Sequence, residues 1–123
     1  MHTNTITLGN KKITGIISSK ILIKSTQDAL DLMANTSTDY IILYEHNFEK
    51  EFFDLSTYIA GEILQKFTNY HIKLAIIGDF PKYKSKSLKD FIYESNKNRE
   101  YLFVSSIEEV KRIWGGWVEN SFV

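Results

Sequence analysis

His46 stands beside Glu45 and a short distance ahead of Asp54 and Ser56, and these are the residue types of a hydrolytic set. In such a set a carboxylate orients a histidine and the histidine takes the proton of a serine hydroxyl. Ser56 sits in Phe53-Asp54-Leu55-Ser56-Thr57-Tyr58, without the G-x-S-x-G turn that exposes a nucleophile. No catalytic residue is therefore expected. His2, His46 and His71 are scattered, with neither H-E-x-x-H nor paired-carboxylate spacing, so no metal or other cofactor is expected. The chain has no cysteine, which excludes thiolate chemistry and disulfides.

A different chemistry suits the run Gly78-Asp79-Phe80-Pro81-Lys82-Tyr83-Lys84-Ser85-Lys86-Ser87. Lysines and serines ahead of a helix start attract an anion, because the first amides of a helix are unpaired and its dipole is positive there. His46, Gly78, Asp79, Lys82, Lys84, Ser85 and Ser87 are the expected ligand set, for a nucleotide or another phosphorylated metabolite. The spacing is that of neither a P-loop nor a G-x-G-x-x-G turn. The same lysines, with Lys89, interleave with Tyr83, Tyr93 and Tyr101 as in single-strand binders. Fifteen basic against fifteen acidic side chains leave no net charge to drive that contact, so no nucleic-acid partner is expected.

The elements that would position these residues follow from periodicity. Thr5 to Leu8 and Lys11 to Ile17 flank Gly9-Asn10, a two-residue turn signal, and predict a β-hairpin with Gly15 as a possible bulge site. Either Ser25 or Thr26 can cap a first helix carrying Ala29, Leu30, Leu32 and Met33. Tyr40 to Tyr44 is an apolar strand without alternation, which implies a central position with helices covering each side. The spacing of Ile59, Ala60, Ile63, Leu64 and Phe67 predicts a second helix from near Asp54 to Asn69. A buried strand at Ile72 to Ile77 follows. The third helix is capped by Ser85 or Ser87, and Tyr101 to Val104 forms the last strand. Ser106-Ile-Glu-Glu109 is a capping box opening a fourth helix that Gly115-Gly116 stops.

Helix and strand alternate after the hairpin, so the fold class is α/β with a mixed, mostly parallel sheet and about four helices in one domain of 123 residues. In such sheets ligands gather beyond the carboxyl ends of the strands. No apolar run is long enough to cross a bilayer and the first residues make no signal peptide, which predicts a cytoplasmic protein with no membrane partner. The tail beyond Trp114 is apolar, and Trp114, Trp117 and Phe122 are expected to support a homodimer.

The order of elements, with Asp54 and Ser56 opening the second helix, resembles the STAS fold of anti-sigma-factor antagonists. That resemblance implies a serine phosphorylated to switch partner binding. The stretch Phe52 to Asn96, with Ala60-Gly-Glu-Ile-Leu-Gln-Lys-Phe67, Lys73-Leu-Ala-Ile-Ile-Gly-Asp-Phe80 and Ser85-Lys-Ser-Leu-Lys-Asp-Phe-Ile-Tyr-Glu-Ser-Asn96, more closely resembles the bacterial DUF4180 family, whose members carry no known activity. That family's pattern reads D-L-x-T-G-L-A-G-E, with glycine where this chain has Tyr58 and no fixed serine at position 56. The resulting expectation is a non-enzymatic regulatory module whose partner or switch face is Asp54, Ser56, Thr57, Tyr58 and Gly61. A phosphate on Ser56 or Thr57 would add about −2 charge beside Asp54. Its partner would be another protein, with a small phosphorylated ligand as the alternative.

Overall fold

The computed structural model describes residues 2–116. Strands β1 (His2–Leu8) and β2 (Lys11–Ile17) form the hairpin, followed by α1 (Thr26–Ala34), β3 (Tyr40–Tyr44), α2 (Ile59–Asn69), β4 (Lys73–Ile77), α3 (Lys86–Asn98), β5 (Tyr101–Val104) and α4 (Ile107–Gly115). The five strands lie side by side in the order of the sequence, β1-β2-β3-β4-β5. β1 runs antiparallel to β2, and every other neighbouring pair is parallel.

The hairpin begins at His2, earlier than the alternation from Thr5 suggests. Its turn has Gly9 at φ +61°, the left-handed conformation that opens a two-residue turn compatible with strand twist. Gly15 is not a bulge: it pairs in register with Asn4. A Cβ on Gly15 would lie 2.3 Å from the Asn4 side-chain oxygen, so glycine is what lets that side chain fold across the sheet.

Alternate strand residues divide between two cores. Ile16, Ile41, Leu43, Leu74, Ile76 and Phe103 pack under Ala29, Leu32 and Met33 of α1, Ala60, Ile63, Leu64 and Phe67 of α2, and Leu88 of α3. Ile13, Ile42, Ala75, Ile77, Leu102 and Val104 face the other way, against Val110 and Trp114 of α4. Helices do cover the central strands on each side, three against one. Trp114 is only 7% exposed and meets Tyr40 edge-on, with ring centroids 5.1 Å apart. Its surface is spent inside the domain and is not available to a homodimer; Trp117 and Phe122 lie outside the described residues.

Serines start the helices as read from the sequence, but the box expected at α4 closes on one side only, the Glu109 carboxylate taking the amide and hydroxyl of Ser105 and not the Ser106 amide. Ser25, Ser85 and Ser106 accept hydrogen bonds from the amides of Asp28, Leu88 and Glu109, settling the choice between Ser85 and Ser87. The second helix differs. α2 begins at Ile59, and residues 45–57 form three short 3₁₀ turns, Glu45–Asn47, Lys50–Phe53 and Leu55–Thr57. No helix among the described residues is long and apolar enough to cross a membrane.

The two sheet edges are unlike. On β5 the outward peptide groups of Phe103 are taken by the side chain of Asn96 in α3, which accepts from the Phe103 amide at 2.7 Å and donates to its carbonyl at 3.0 Å. Among the described residues β1 has no such cover along its outer edge, and His2, Thr3, Asn4, Thr5 and Thr7 are all exposed.

Candidate functional site

Two groups of expected site residues occupy different places. The first gathers at the carboxyl ends of β3 and β4. Glu45, immediately after β3, receives the Asp79 amide at 3.0 Å, the Tyr83 hydroxyl, and the Lys82 ammonium at 2.8 Å. Gly78 makes this possible, because a Cβ there would stand 2.6 Å from the Glu45 Cβ and 2.7 Å from its Oε1. Tyr83 is aimed by stacking on Phe53, centroids 5.3 Å apart, and by the tight turn in which its amide donates to the Phe80 carbonyl across Pro81-Lys82. Partial burial pushes the Glu45 carboxyl up, but the Lys82, Tyr83 and Asp79 donors together outweigh it and hold the group below its ordinary range. Burial, then the Glu45 carboxylate, pushes the Tyr83 hydroxyl well above its usual range, so it stays a donor.

Glu45, Gly78, Lys82 and Tyr83 line a cleft of ≈ 660 Å³ together with Ile21, Tyr44, His46, Phe53, Glu49 and Glu51. It takes in His46, Gly78 and Lys82 from the expected ligand set. Ser85 spends its hydroxyl on the α3 cap, Lys82 is paired with Glu45, and Lys86 is paired with Asp90 at 2.8 Å. The carboxylate at the centre of the cluster opposes an anion. Lys84 and Ser87 are exposed beyond this cluster.

His46 does not meet Ser56. Its Nε2 lies 2.7 Å from the Ser18 carbonyl and its ring stacks on Tyr44, centroids 5.7 Å apart. The Ser56 hydroxyl donates instead to Asp54 at 2.6 Å. The parts of a hydrolytic set are thus engaged elsewhere. No group of histidine and carboxylate side chains able to hold a metal occurs among the described residues.

The second group is the turn before α2. Asp54 accepts from both the hydroxyl and the amide of Ser56, and those two bonds hold its carboxyl below the ordinary range. Thr57 Oγ1 lies 2.9 Å from the Glu51 carbonyl and 2.8 Å from that of Asp54, and accepts from the Ile59 amide at 3.3 Å. Tyr58 joins the 3₁₀ turn to α2 with φ +62°, and its side chain is 77% exposed. Gly61 follows on the exposed side of α2, with no atom near where a Cβ would stand. Asp54, Ser56, Thr57, Tyr58 and Gly61 thus run along the last 3₁₀ turn and into the first turn of α2.

Sequence reasoning passed over Asn47, the fully buried residue that holds residues 45–53 over the strand ends. Its side chain accepts from the Tyr44 amide at 2.9 Å and donates to the Ser18 and Lys20 carbonyls at 3.0 and 2.9 Å, while its own carbonyl takes the Leu22 and Ile23 amides. The one local signal was an asparagine just past a buried strand, which is also what any turn shows.

Residues 8–113 match the family described as Domain of unknown function (DUF4180), and the chain belongs to it. No curated protein and no solved structure matches the chain.

Asn47→Ala leaves the Tyr44 amide and the Lys20 carbonyl without their side-chain partner, the Ser18 carbonyl keeping His46, and should cost about 3 kcal/mol in urea unfolding; a change inside experimental error would show that the segment is held otherwise. Glu45 is charged more readily in the folded chain than in the unfolded one, so its contribution is present above the unfolded carboxyl range and lost as pH falls through its depressed folded value. The stability gap between wild type and Glu45→Gln should therefore be full at neutral pH and close below about pH 4. A gap constant down to pH 3 would contradict it.

Proposed function

We propose that this DUF4180 member is a non-enzymatic interaction module that receives a protein partner on the turn opening α2, through Tyr58, Asp54, Ser56 and Gly61. The observation that carries this reading is Tyr58. A side chain with a Cβ at φ +62° costs about 1 kcal/mol relative to glycine, and an aromatic ring left in water returns nothing for it. Gly61, in the first turn of α2, adds a second and smaller local cost, since glycine is a poorer helix former than alanine and no described neighbour requires it. Two such departures in one exposed stretch are accounted for by a partner, the tyrosine serving as an anchor and the glycine as a flat place for close approach.

Ser56 gives the face a means of control. Its hydroxyl is exposed and bonded to Asp54, so a phosphate there would set about −2 charge against the carboxylate and undo the turn. Thr57 is less suited, its hydroxyl being used within the turn.

The cleft around Glu45 favours a second reading, a small-ligand binder, because apolar walls and a few fixed polar groups are what such sites have. Thermal-shift screening against nucleotides and other phosphorylated metabolites tests it, and a flat screen at millimolar ligand disposes of it.

For the interaction face, Tyr58→Gly should raise the melting temperature by a few degrees, as about 1 kcal/mol does in a domain of this size. It should also reduce capture of a partner from the host at least tenfold, as should Gly61→Arg, with Ser56→Ala retaining it and Ser56→Asp losing it. Equal capture by wild type and both Tyr58→Gly and Gly61→Arg would overturn the assignment.

A further inference from the structure

Among the described residues the β1 edge of the sheet is open, a feature independent of the face at α2. β1 is seven residues long, His2-Thr-Asn-Thr-Ile-Thr-Leu8, with no proline and no lysine, arginine, aspartate or glutamate. Proline, charge and shortness are the usual means of making a sheet edge unsociable. The opposite edge does use such means: β5 has four residues, and Asn96 occupies the outward groups of Phe103.

The hairpin register says which groups β1 offers. A two-residue loop joins Leu8 to its partner Lys11, and in such a hairpin the pair flanking the turn exchanges its backbone hydrogen bonds, as do alternate pairs beyond it. Ile6, Asn4 and His2 therefore bond inward to β2, while the amides and carbonyls of Thr3, Thr5 and Thr7 point outward. The threonine side chains also share one face, opposite Ile16, Thr14 and Lys12.

We propose that β1 pairs with β1 of a second copy of this chain, antiparallel about a two-fold axis at Thr5, joining the two sheets edge to edge. About that axis Thr5 faces Thr5, Thr3 faces Thr7, and Asn4 faces Ile6, so every outward-pointing residue meets another outward-pointing residue. Three such pairs exchange about six backbone hydrogen bonds. They also align threonines across the join, a favourable cross-strand pairing. The strand is thus complementary to itself at this register, and no charge stands against charge. Because β5 is four residues long and Asn96 takes the outward groups of Phe103, β1 is the freer edge among the described residues and the assembly stops at two copies.

Light scattering after size exclusion of the full chain at high micromolar concentration should give twice the chain mass of 14.3 kDa. Thr5→Pro removes only an outward amide, the position where an edge strand tolerates proline, and should halve that mass with the fold kept by circular dichroism. Thr5→Lys, which sets two charges together on the axis, should do the same and replaces it if the proline variant does not fold. Removing residues 117–123 should leave the dimer intact. Asn96→Ala, by freeing Phe103, should give species larger than a dimer. A wild type of single-chain mass overturns the proposal. So does a dimer that survives Thr5→Lys, or one lost only on removing residues 117–123.

Discussion

Right-handedness of the strand crossovers shapes everything else in this domain. β2 to β5 are parallel and stand in sequence order, so each of the three connections must step one place in the same direction. With the hand of each crossover fixed, α1, α2 and α3 have to fall on one face. That face receives Phe67, Ile63, Leu64 and the phenylalanines of residues 48–53, and the opposite face is left to α4. The placing of Trp114 follows, since one short helix must cover what several usually share. An indole between α4 and Tyr40 supplies apolar area that a small side chain could not.

The same order explains why the strand ends make a shallow site. Open α/β sheets bind ligands where successive connections leave on opposite faces and part. Here no two crossovers of the parallel strands diverge, so the carboxyl ends open no crevice of their own. The cleft that exists is built by residues 45–53 folding across the ends, kept there by Asn47 and by Glu45 reaching Asp79, Lys82 and Tyr83. Its polar groups mostly satisfy one another. That gives them a structural duty whatever else they do, and it is why a lysine- and serine-rich loop yields so few groups free to hold an anion.

What was legible in the chain is what local chemistry specifies. Gly9-Asn10 marks its turn, Ser25 and Ser106 announce helices by capping, and the unalternating Tyr40 to Tyr44 declares burial on both faces. Residues 45–57 were opaque because 3₁₀ turns have no sustained period, and Ile59 onward lent its helical spacing to residues before it, hence the early start read for α2. The Glu45–Tyr83 contact joins residues 38 apart in sequence, and the roles of Gly15 and Gly78 depend on side chains brought over them by the fold. No window along the chain contains that information. At the α2 turn the situation reverses. Asp54, Ser56 and Tyr58 were legible because they are close in sequence, and the backbone adds the unfavourable φ of Tyr58 on which the proposed face rests.

The proposed partner face and the proposed self-pairing edge share a logic. In both, the chain gives up something it could have had alone: a glycine at position 58, or a charge on β1. Natural sheets blunt their edges because unspecific pairing leads to aggregation, and Asn96 shows that this chain meets that demand at β5 with a single side chain. Leaving β1 open is then a selective feature of one edge. A two-fold join at β1 would carry two copies of the Tyr58 face on one rigid ten-strand sheet. A partner with two matching sites would then bind the second at the effective concentration of a tethered reaction, with no new contact needed. Under the two proposals taken together, weak recognition through one aromatic anchor and a flat glycine would be sufficient, because the second contact would come at that effective concentration.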